Sequence, residues 1–356
     1  MRIVMLADRL ILGGLETHII TFCNELLRRG HRILLYAAYA EPDIIAAIGR
    51  NNGNFLYLNW EDRIPDEVRR FNPEIIHSHP FTAIIRGYDL AVMFQKPFFI
   101  TIHGLYDFGV DRSPLGRQIT SQAQRIIAVD QAVASLLRSN TPCPEKVTII
   151  GNGIDLTSFQ PFPPVRIDRA VYGLEPNWYT IVIISRLADG KEGPVRQLIH
   201  CAHDLAARLK GLNLLIAGDG PYLEPLRNLA TRSAVYPDLR MRLLGKVNDV
   251  RGILSLADHV MACDRAALEA MACRRPVYAM NGSGFGGGIG RHNFEKLLGE
   301  RSGYQVMTDD ALISSLYAFV KNKTLRRRLA GEGMAVIHRY FDINNAVSQL
   351  EQVYQS

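Results

Sequence analysis

Arg186 and Lys191 stand five residues apart in SRLADGKEG (185–193), between an apolar run, YTIVIIS, and a long stretch of helical period. Two cations across one turn can close on a single diphosphate, Arg through a forked contact and Lys as a point charge. The same pair also fits solvated surface charge. In DRAALEAMA (264–272), Asp264 is placed as a helix N-cap. The first turn, with Arg265 and Ala266, would offer free amides and the positive end of a helix dipole to an anion. Glu269 lies among Ala and Leu, where a buried carboxylate is costly without a partner. Ribose hydroxyls would satisfy it, as acidic residues do for nucleotides; so would an ion pair with Arg265 or Arg274.

Other polar and glycine residues recur just after apolar runs: GGLETH (13–18, with Gly13 and Gly14), HSHP (77–80), IHG (102–104, with His103), GNGID (151–155, with Asn152 and Asp155) and GDGP (Gly218, Asp219, Gly220, Pro221). A glycine after a strand is usually a turn, and a histidine there is more often hydrogen-bonded scaffold. Their recurrence at nearly every strand end is what points to a site.

The elements that must hold these residues alternate. RIVMLA, RILLYA, NFLYL, EIIHSH, FFITIH, RIIAV and VTII read as strands in the first half. YTIVIIS, NLLIAG, MRLLG, DHVMA and PVYAM do so in the second. Segments such as LETHIITFCNELLRRG lie between them with helical spacing and a closing glycine. Strand–helix alternation predicts an α/β fold of parallel sheets covered on both faces. It pauses at 151–178, which holds four prolines and three glycines and reads as a linker. The expected domains are therefore 1–160 and 161–338, both doubly wound. A C-terminal helix over 339–356 is available to pack back on the first. The last two helices are expected at 309–338 and 343–356. Ligands of such sheets bind outside the carboxyl ends of the strands, so two domains would place those ends across one cleft.

Composition excludes other classes. Hydrophobic residues make up 47% and charged residues 21%, ordinary for a globular chain, and no apolar run approaches the roughly 18 residues of a membrane span. Asp8 and Arg9 interrupt the N-terminal run, which makes a poor secretory signal. Five cysteines without a CxxC form no disulfide framework. A cytoplasmic protein is expected, with peripheral contact at the inner membrane face left open. Residues 1–165 carry 16 basic and 16 acidic side chains, so the whole net charge of +6 sits in the second half. That suits a polyphosphate ligand; without an aromatic-interleaved basic stripe, nucleic acid is not expected. Gly282-x-Gly284-x-x-Gly287 matches a dinucleotide fingerprint, yet it closes a domain instead of opening one and lacks the following acid, so an oxidoreductase is disfavoured. No metal-ligand spacing is present. His77 and His79 alone could form a pair, for which a structural role is the better reading.

In order, GGxExH, HSH, IHG, NGID, SRL…K, GDGP and LEAMACRRPV resemble the large group of retaining GT-B glycosyltransferases that use nucleotide sugars. The resemblance covers nearly the whole chain. It implies two doubly wound Rossmann-like domains, an acceptor-side one over 1–160 and a nucleotide-sugar-binding one over 161–338, and transfer of a sugar from a nucleotide-diphosphate sugar to an acceptor hydroxyl. It further implies retention of configuration, no metal and no cofactor. By matching position, Arg186 and Lys191 grip the diphosphate and Glu269 the ribose. Gly13 and Gly14 admit the donor, His103 lies near the transferred sugar, Asn152 and Asp155 line the hinge, and Gly218–Pro221 border the nucleotide. The acceptor, whether glycan, lipid-linked or small molecule, would meet first-domain loops such as 104–117.

The chain departs from the family at Met261, where a second Glu usually stands eight residues before Glu269 and a sugar-gripping loop follows. Two substitutes are available: Asp264, or the backbone of NGSGFGGGIGR (281–291), with Gly284, Gly286 and Gly287. The loop is favoured because glycine backbone tolerates close approach of ligand. The same departure motivates the alternative of an inactive GT-B relative that binds a nucleotide or protein partner. An epimerase would need acid/base carboxylates and a phosphorylase a pyridoxal-phosphate lysine, and neither is identifiable.

Overall fold

The computed structural model describes residues 1–11, 13–48, 53–60, 64–105, 113–162, 169–232 and 236–356. The chain divides into two units, Met1–Asp155 with Tyr340–Ser356, and Leu156–Arg339. Parts of the expected linker (163–168) and of the acceptor loop (106–112) lie outside the described residues.

Unit 1 holds a seven-stranded parallel sheet of order β3-β2-β1-β4-β5-β6-β7. The strands are β1 (Arg2–Leu10), β2 (Arg32–Ala40), β3 (Phe55–Asn59), β4 (Ile75–Ser78), β5 (Phe98–Ile102), β6 (Arg125–Ala128) and β7 (Val147–Ile149). Each is a short apolar run because both sheet faces are covered. Along β1, Ile3, Met5 and Ala7 point into one core with α1 (Gly14–Arg28) and α13 (Ile343–Gln355), and Val4 and Leu6 into the other. The β1–β4 register pairs Met5 with His77. Helix α13 is tied to the end of this sheet: Ile154 N–H donates to Phe341 O at 2.7 Å and Ile343 N–H to Ile154 O at 3.1 Å. Gly153 allows this contact, since a Cβ there would lie 2.4 Å from Ile343 Cδ1.

Unit 2 repeats the scheme with order β10-β9-β8-β11-β12-β13. Its strands are β8 (Tyr179–Ile184), β9 (Leu212–Ala217), β10 (Leu239–Gly245), β11 (His259–Ala262), β12 (Val277–Asn281) and β13 (Gly284–Gly288). Helices α7 (Glu192–Leu209) and α10 (Asp264–Ala272) follow β8 and β11. In both sheets the strand order reverses beside the first strand, between β1 and β4 and between β8 and β11. Ligands bind such sheets at the carboxyl end of this switch point.

Three local expectations need correction. The segment 281–291 is not an open loop: Gly284–Gly288 forms an antiparallel edge strand against β12, and Phe285 N–H donates to Gln305 O at 2.9 Å. The expected helix 309–338 is two helices, α11 (Asp309–Lys321) and α12 (Lys323–Tyr340). They break at Asn322, whose side chain accepts from Leu325 N–H at 2.9 Å. Asp264 does not cap α10. It sits in the left-handed region at φ 50 with Cys263 as the N-cap; a capping side chain needs extended backbone to reach the N2 or N3 amide.

Candidate functional site

At the unit 2 switch point, β8 leads into Arg186 and Lys191, and β11 leads into α10. Val182 pairs with Val260 and Ile183 with Met261, so the two loops leave adjacent strands. Arg186 and Lys191 are exposed, and neither side chain makes a hydrogen bond or ion pair among the described residues. Lys191 is close to the start of α10: burial pushes the Cys263 thiol up to about 12, Asp264 adds to this, and the Lys191 and Arg301 charges pull it back. Arg301 Nε lies 3.8 Å from Asp264 Oδ1. Arg301, itself at φ 54, is a cation of this corner that sequence pattern gave no reason to select.

Glu269 is buried at 6% exposure and Arg265 at 7%. Arg265 Nε–H donates to Glu269 Oε1 at 2.9 Å across one helical turn. The ion pair offered by the sequence is thus present, with Arg265 as the partner. Burial pushes the Glu269 carboxyl above its ordinary value, against the opposing pull of Arg265. Ala266, between them on the first turn, is half-buried. Met261, at the position where the family carries its other Glu, is fully buried in β11.

The GDGP glycines answer to packing of loop on loop. A Cβ at Gly218 (φ 157) would lie 1.8 Å from Ser185 O, and one at Gly220 (φ 146) 2.2 Å from Leu187 O. Leu187 N–H donates to Asp219 O at 2.9 Å, and Tyr222 N–H to Leu187 O at 3.1 Å. The Asp219 side chain accepts from Gly220 N–H at 2.8 Å. The segment 218–222 therefore buttresses the cationic loop.

In the 281–291 hairpin, Gly284 and Gly286 are required by neighbouring atoms, Gln305 O and Leu297 Cδ2, while Gly287 (φ 79) has open space around it. The residue of this segment that reaches the cationic loop is Gly282. A Cβ there would fall 1.8 Å from Gly190 O and 3.7 Å from Lys191 N. It opens the same G-x-G-x-x-G string, which was the available signal.

Unit 1 builds a different corner at its own switch point. Gly13 is the N-cap of α1, and a Cβ at Gly14 would meet no protein atom within 4 Å, so packing does not demand that glycine. His18 from α1, His77 and His79 from the end of β4, and His103 after β5 converge. The His77 and His79 rings stack at 4.9 Å, and His18 meets His103 edge-on at 4.6 Å. His18 Nδ1 lies 3.0 Å from Asn152 Oδ1, and His79 Nδ1 lies 2.7 Å from His103 Nε2. His77 bridges Tyr354 Oη (2.6 Å) and Thr101 Oγ1 (2.7 Å). Burial holds His77 down to about 3 and His79 and His103 well below the ordinary 6.5, with the neighbouring histidines adding to the effect. All three are therefore neutral at pH 7. Asp155, half-buried, closes the unit. Among the described residues no group of three or more His, Cys, Asp or Glu is arranged to hold a metal ion, and no helix is long and apolar enough to cross a membrane.

Two doubly wound sheets with polar groups at both switch points define the GT-B class. Along its whole length the chain is similar to the solved structure of Anabaena HepE in complex with UDP (TM-score 0.78, 17% identity, 100% of each chain covered). It is also similar to that of a glycosyltransferase from Rickettsia africae (TM-score 0.76, 16% identity, 99% of this chain and 97% of the other). Glycosyltransferase Family 4 matches residues 12–158, and Glycosyl transferases group 1 matches residues 179–309. The chain belongs to the group 1 glycosyltransferases of GT-B fold. One human phosphatidylinositol N-acetylglucosaminyltransferase subunit is 27% identical over 68% of this chain and 52% of its own length. D-inositol 3-phosphate glycosyltransferase 2 of Catenulispora acidiphila is 29% identical over 58% of this chain and 54% of its own. The chain thus spans little more than half the length of these curated relatives.

Proposed function

We propose that the chain is a hexosyltransferase that moves a sugar from a nucleoside-diphosphate sugar to an acceptor hydroxyl, with retention of configuration and without a metal ion. One observation carries the reading. At the unit 2 switch point, two exposed cations, Arg186 and Lys191, unpaired among the described residues, stand on the loop beside the N-terminus of α10. Anions are favoured at a helix N-terminus, and the two cations add full charges there. As the glycosidic bond breaks, these groups stabilise the charge that develops on the leaving diphosphate, each contributing about 3 kcal/mol in the transition state. Glu269, oriented by Arg265, takes the ribose hydroxyls. Because ribose binding is shared by ground and transition states, it acts on KM more than on kcat. The acceptor attacks from the side the diphosphate leaves, and the leaving oxygen takes its proton. No general base is assigned, and His103 positions the sugar. Solved structures of Anabaena HepE hold UDP and UDP-glucose, which favours a uridine nucleotide as the first donor to test. The acceptors named for the relatives differ among themselves, so a glycan, a lipid-linked acceptor and a small molecule are all retained, with peripheral membrane contact as an accompaniment of the lipid case.

The test is thermal unfolding of the protein with UDP, GDP, ADP and dTDP in the presence of a chelator, followed by NMR of the anomeric configuration of the product. One nucleoside diphosphate raising Tm, and a product anomer matching the donor, support the proposal. Stabilisation only with divalent cations, or an inverted product, overturns it. Met261 in place of a sugar-binding carboxylate favours one second reading, a nucleotide-binding relative without transfer. Slow hydrolysis of the stabilising nucleotide sugar in the absence of acceptor would sink that reading.

A further inference from the structure

The cationic loop of unit 2 carries its own anion. Asp189 stands three residues after Arg186 and two before Lys191, inside a turn closed by Lys191 N–H donating to Ala188 O at 3.0 Å. Gly190 takes φ 73 there, as the third residue of a type II turn does. An exposed carboxylate so placed could pair with either cation, and pairing would cancel a charge that a diphosphate needs. The structure gives it a different partner. Tyr222 Oη–H donates to Asp189 Oδ1 at 2.5 Å, a charge-assisted bond, and neither Arg186 nor Lys191 pairs with a carboxylate among the described residues. Asp189 holds the Tyr222 phenol above its ordinary value of 10, so the hydroxyl remains a donor through the neutral range. The other carboxylates of this corner are occupied or buried. Asp219 accepts from Gly220 N–H at 2.8 Å, Asp264 Oδ1 lies 3.8 Å from Arg301 Nε, and Glu192 has its Oε2 buried at the start of α7.

We propose that Tyr222 is a positioning residue that latches the Asp189 carboxylate away from Arg186 and Lys191, leaving both cations open to a diphosphate. This role rests on the donor site proposed above, whereas the Tyr222–Asp189 bond stands on geometry alone. Tyr222 is fixed independently of Asp189. Its amide donates to Leu187 O at 3.1 Å, and Leu187 N–H donates to Asp219 O at 2.9 Å, with Leu187 fully buried. The phenol therefore projects from backbone tied to the same loop that carries the cations. Gly282 also bounds the turn, since a Cβ there would lie 1.8 Å from Gly190 O. Without the phenol hydroxyl the turn would keep its backbone, but the Asp189 carboxylate would be released to the charges on either side of it.

The experiment is a double-mutant cycle over Y222F and D189N in the full chain. It is read as the Kd of inorganic pyrophosphate and of UDP, by calorimetry in chelator at low salt. Y222F removes only the donating hydroxyl and keeps the ring packed on the unit 2 core; D189N removes only the charge. Y222F should raise both Kd values roughly fivefold, the worth of one exposed ion pair that the ligand must now displace. D189N alone should leave them near wild type, and Y222F/D189N should return to them. A tyrosine that merely shaped the loop would give no such recovery. A wild-type Kd in Y222F, an equal effect of D189N in both backgrounds, or no binding of either probe by the wild type overturns the proposal. If pyrophosphate follows the expected pattern while UDP does not bind, the donor reading falls and the latch stands. If UDP binds and D189N fails to rescue Y222F, the latch falls and the donor reading stands.

Discussion

The two switch points are built from opposite materials. In unit 1 four imidazoles converge, of which His77, His79 and His103 are held neutral by burial; His79 bonds to His103, and Thr101, Tyr354, Asn152 and Met5 bond to the others or to His79. In unit 2 the corner holds exposed Arg186 and Lys191 beside a buried Arg265–Glu269 pair. The same topology thus gathers neutral, hydrogen-bonded rings in one unit and exposed cations in the other. A neutral ring presents one donor and one acceptor and suits a sugar hydroxyl. A fork and an ammonium suit a diphosphate.

Acid should break this contrast most strongly. The unfolded chain binds protons at these imidazoles below about pH 6.5, while folded His77 does so only near pH 3. Between those values the unfolded state holds more protons, so stability falls as pH falls and is unaffected by these groups above the window. His77, His79 and His103 together should cost unit 1 several kcal/mol by pH 4, against His259 alone in unit 2, whose imidazole is also held down to about 3 by burial. Thermal unfolding followed from pH 7.5 to pH 4 checks this, with the transition of unit 1 expected to move first. Equal movement of both units would contradict the comparison.

In unit 2 the largest loss should follow from removing one member of the buried ion pair. E269A removes the carboxylate that accepts from Arg265, itself buried at 7% exposure, and should destabilise by about 3–5 kcal/mol. In chemical denaturation the double variant R265A/E269A should recover part of that loss. A single variant as stable as wild type would show that the pair is not coupled. R186A should keep the fold and lower kcat by about a hundredfold or more, the cost of one electrostatic contact with a developing oxyanion. E269Q retains the shape and a hydrogen-bond acceptor, and should act mainly on KM, raising it by roughly tenfold, about 1.4 kcal/mol. Equal kcat losses in R186A and E269Q would remove the division between charge stabilisation and ribose binding.

Much of this arrangement is legible in the sequence, because buried parallel strands are near-continuous apolar runs and the polar residues after them mark the carboxyl edges. The strands of both sheets, the order of the motifs and the cationic loop are all local signals. What escaped is set by contacts distant in the chain. Gly284–Gly288 reads as a loop because it lacks β-branched residues, yet Gly284, Gly286 and Gly288 lie so close to Gln305, Leu297 and Leu329 that a Cβ would crowd them. The left-handed Asp264 reads as an ordinary cap. Arg301 carries no motif. The contacts of His79 with Met5 and His103 join β1 to the ends of β4 and β5, and no spacing along one strand could reveal them. The break at Asn322 is the one miss with a local cue, an Asn in the helical run with a side chain able to cap the next turn.

The central claim is that the diphosphate is met by side chains of unit 2 and not by a metal or by unit 1. Titration of the stabilising nucleoside diphosphate in chelator, by calorimetry on the wild type, K191A and H103Q, tests it most directly. The account predicts at least a tenfold higher Kd for K191A and an unchanged Kd for H103Q. Equal affinity of K191A and wild type, or loss of binding in H103Q alone, would contradict it.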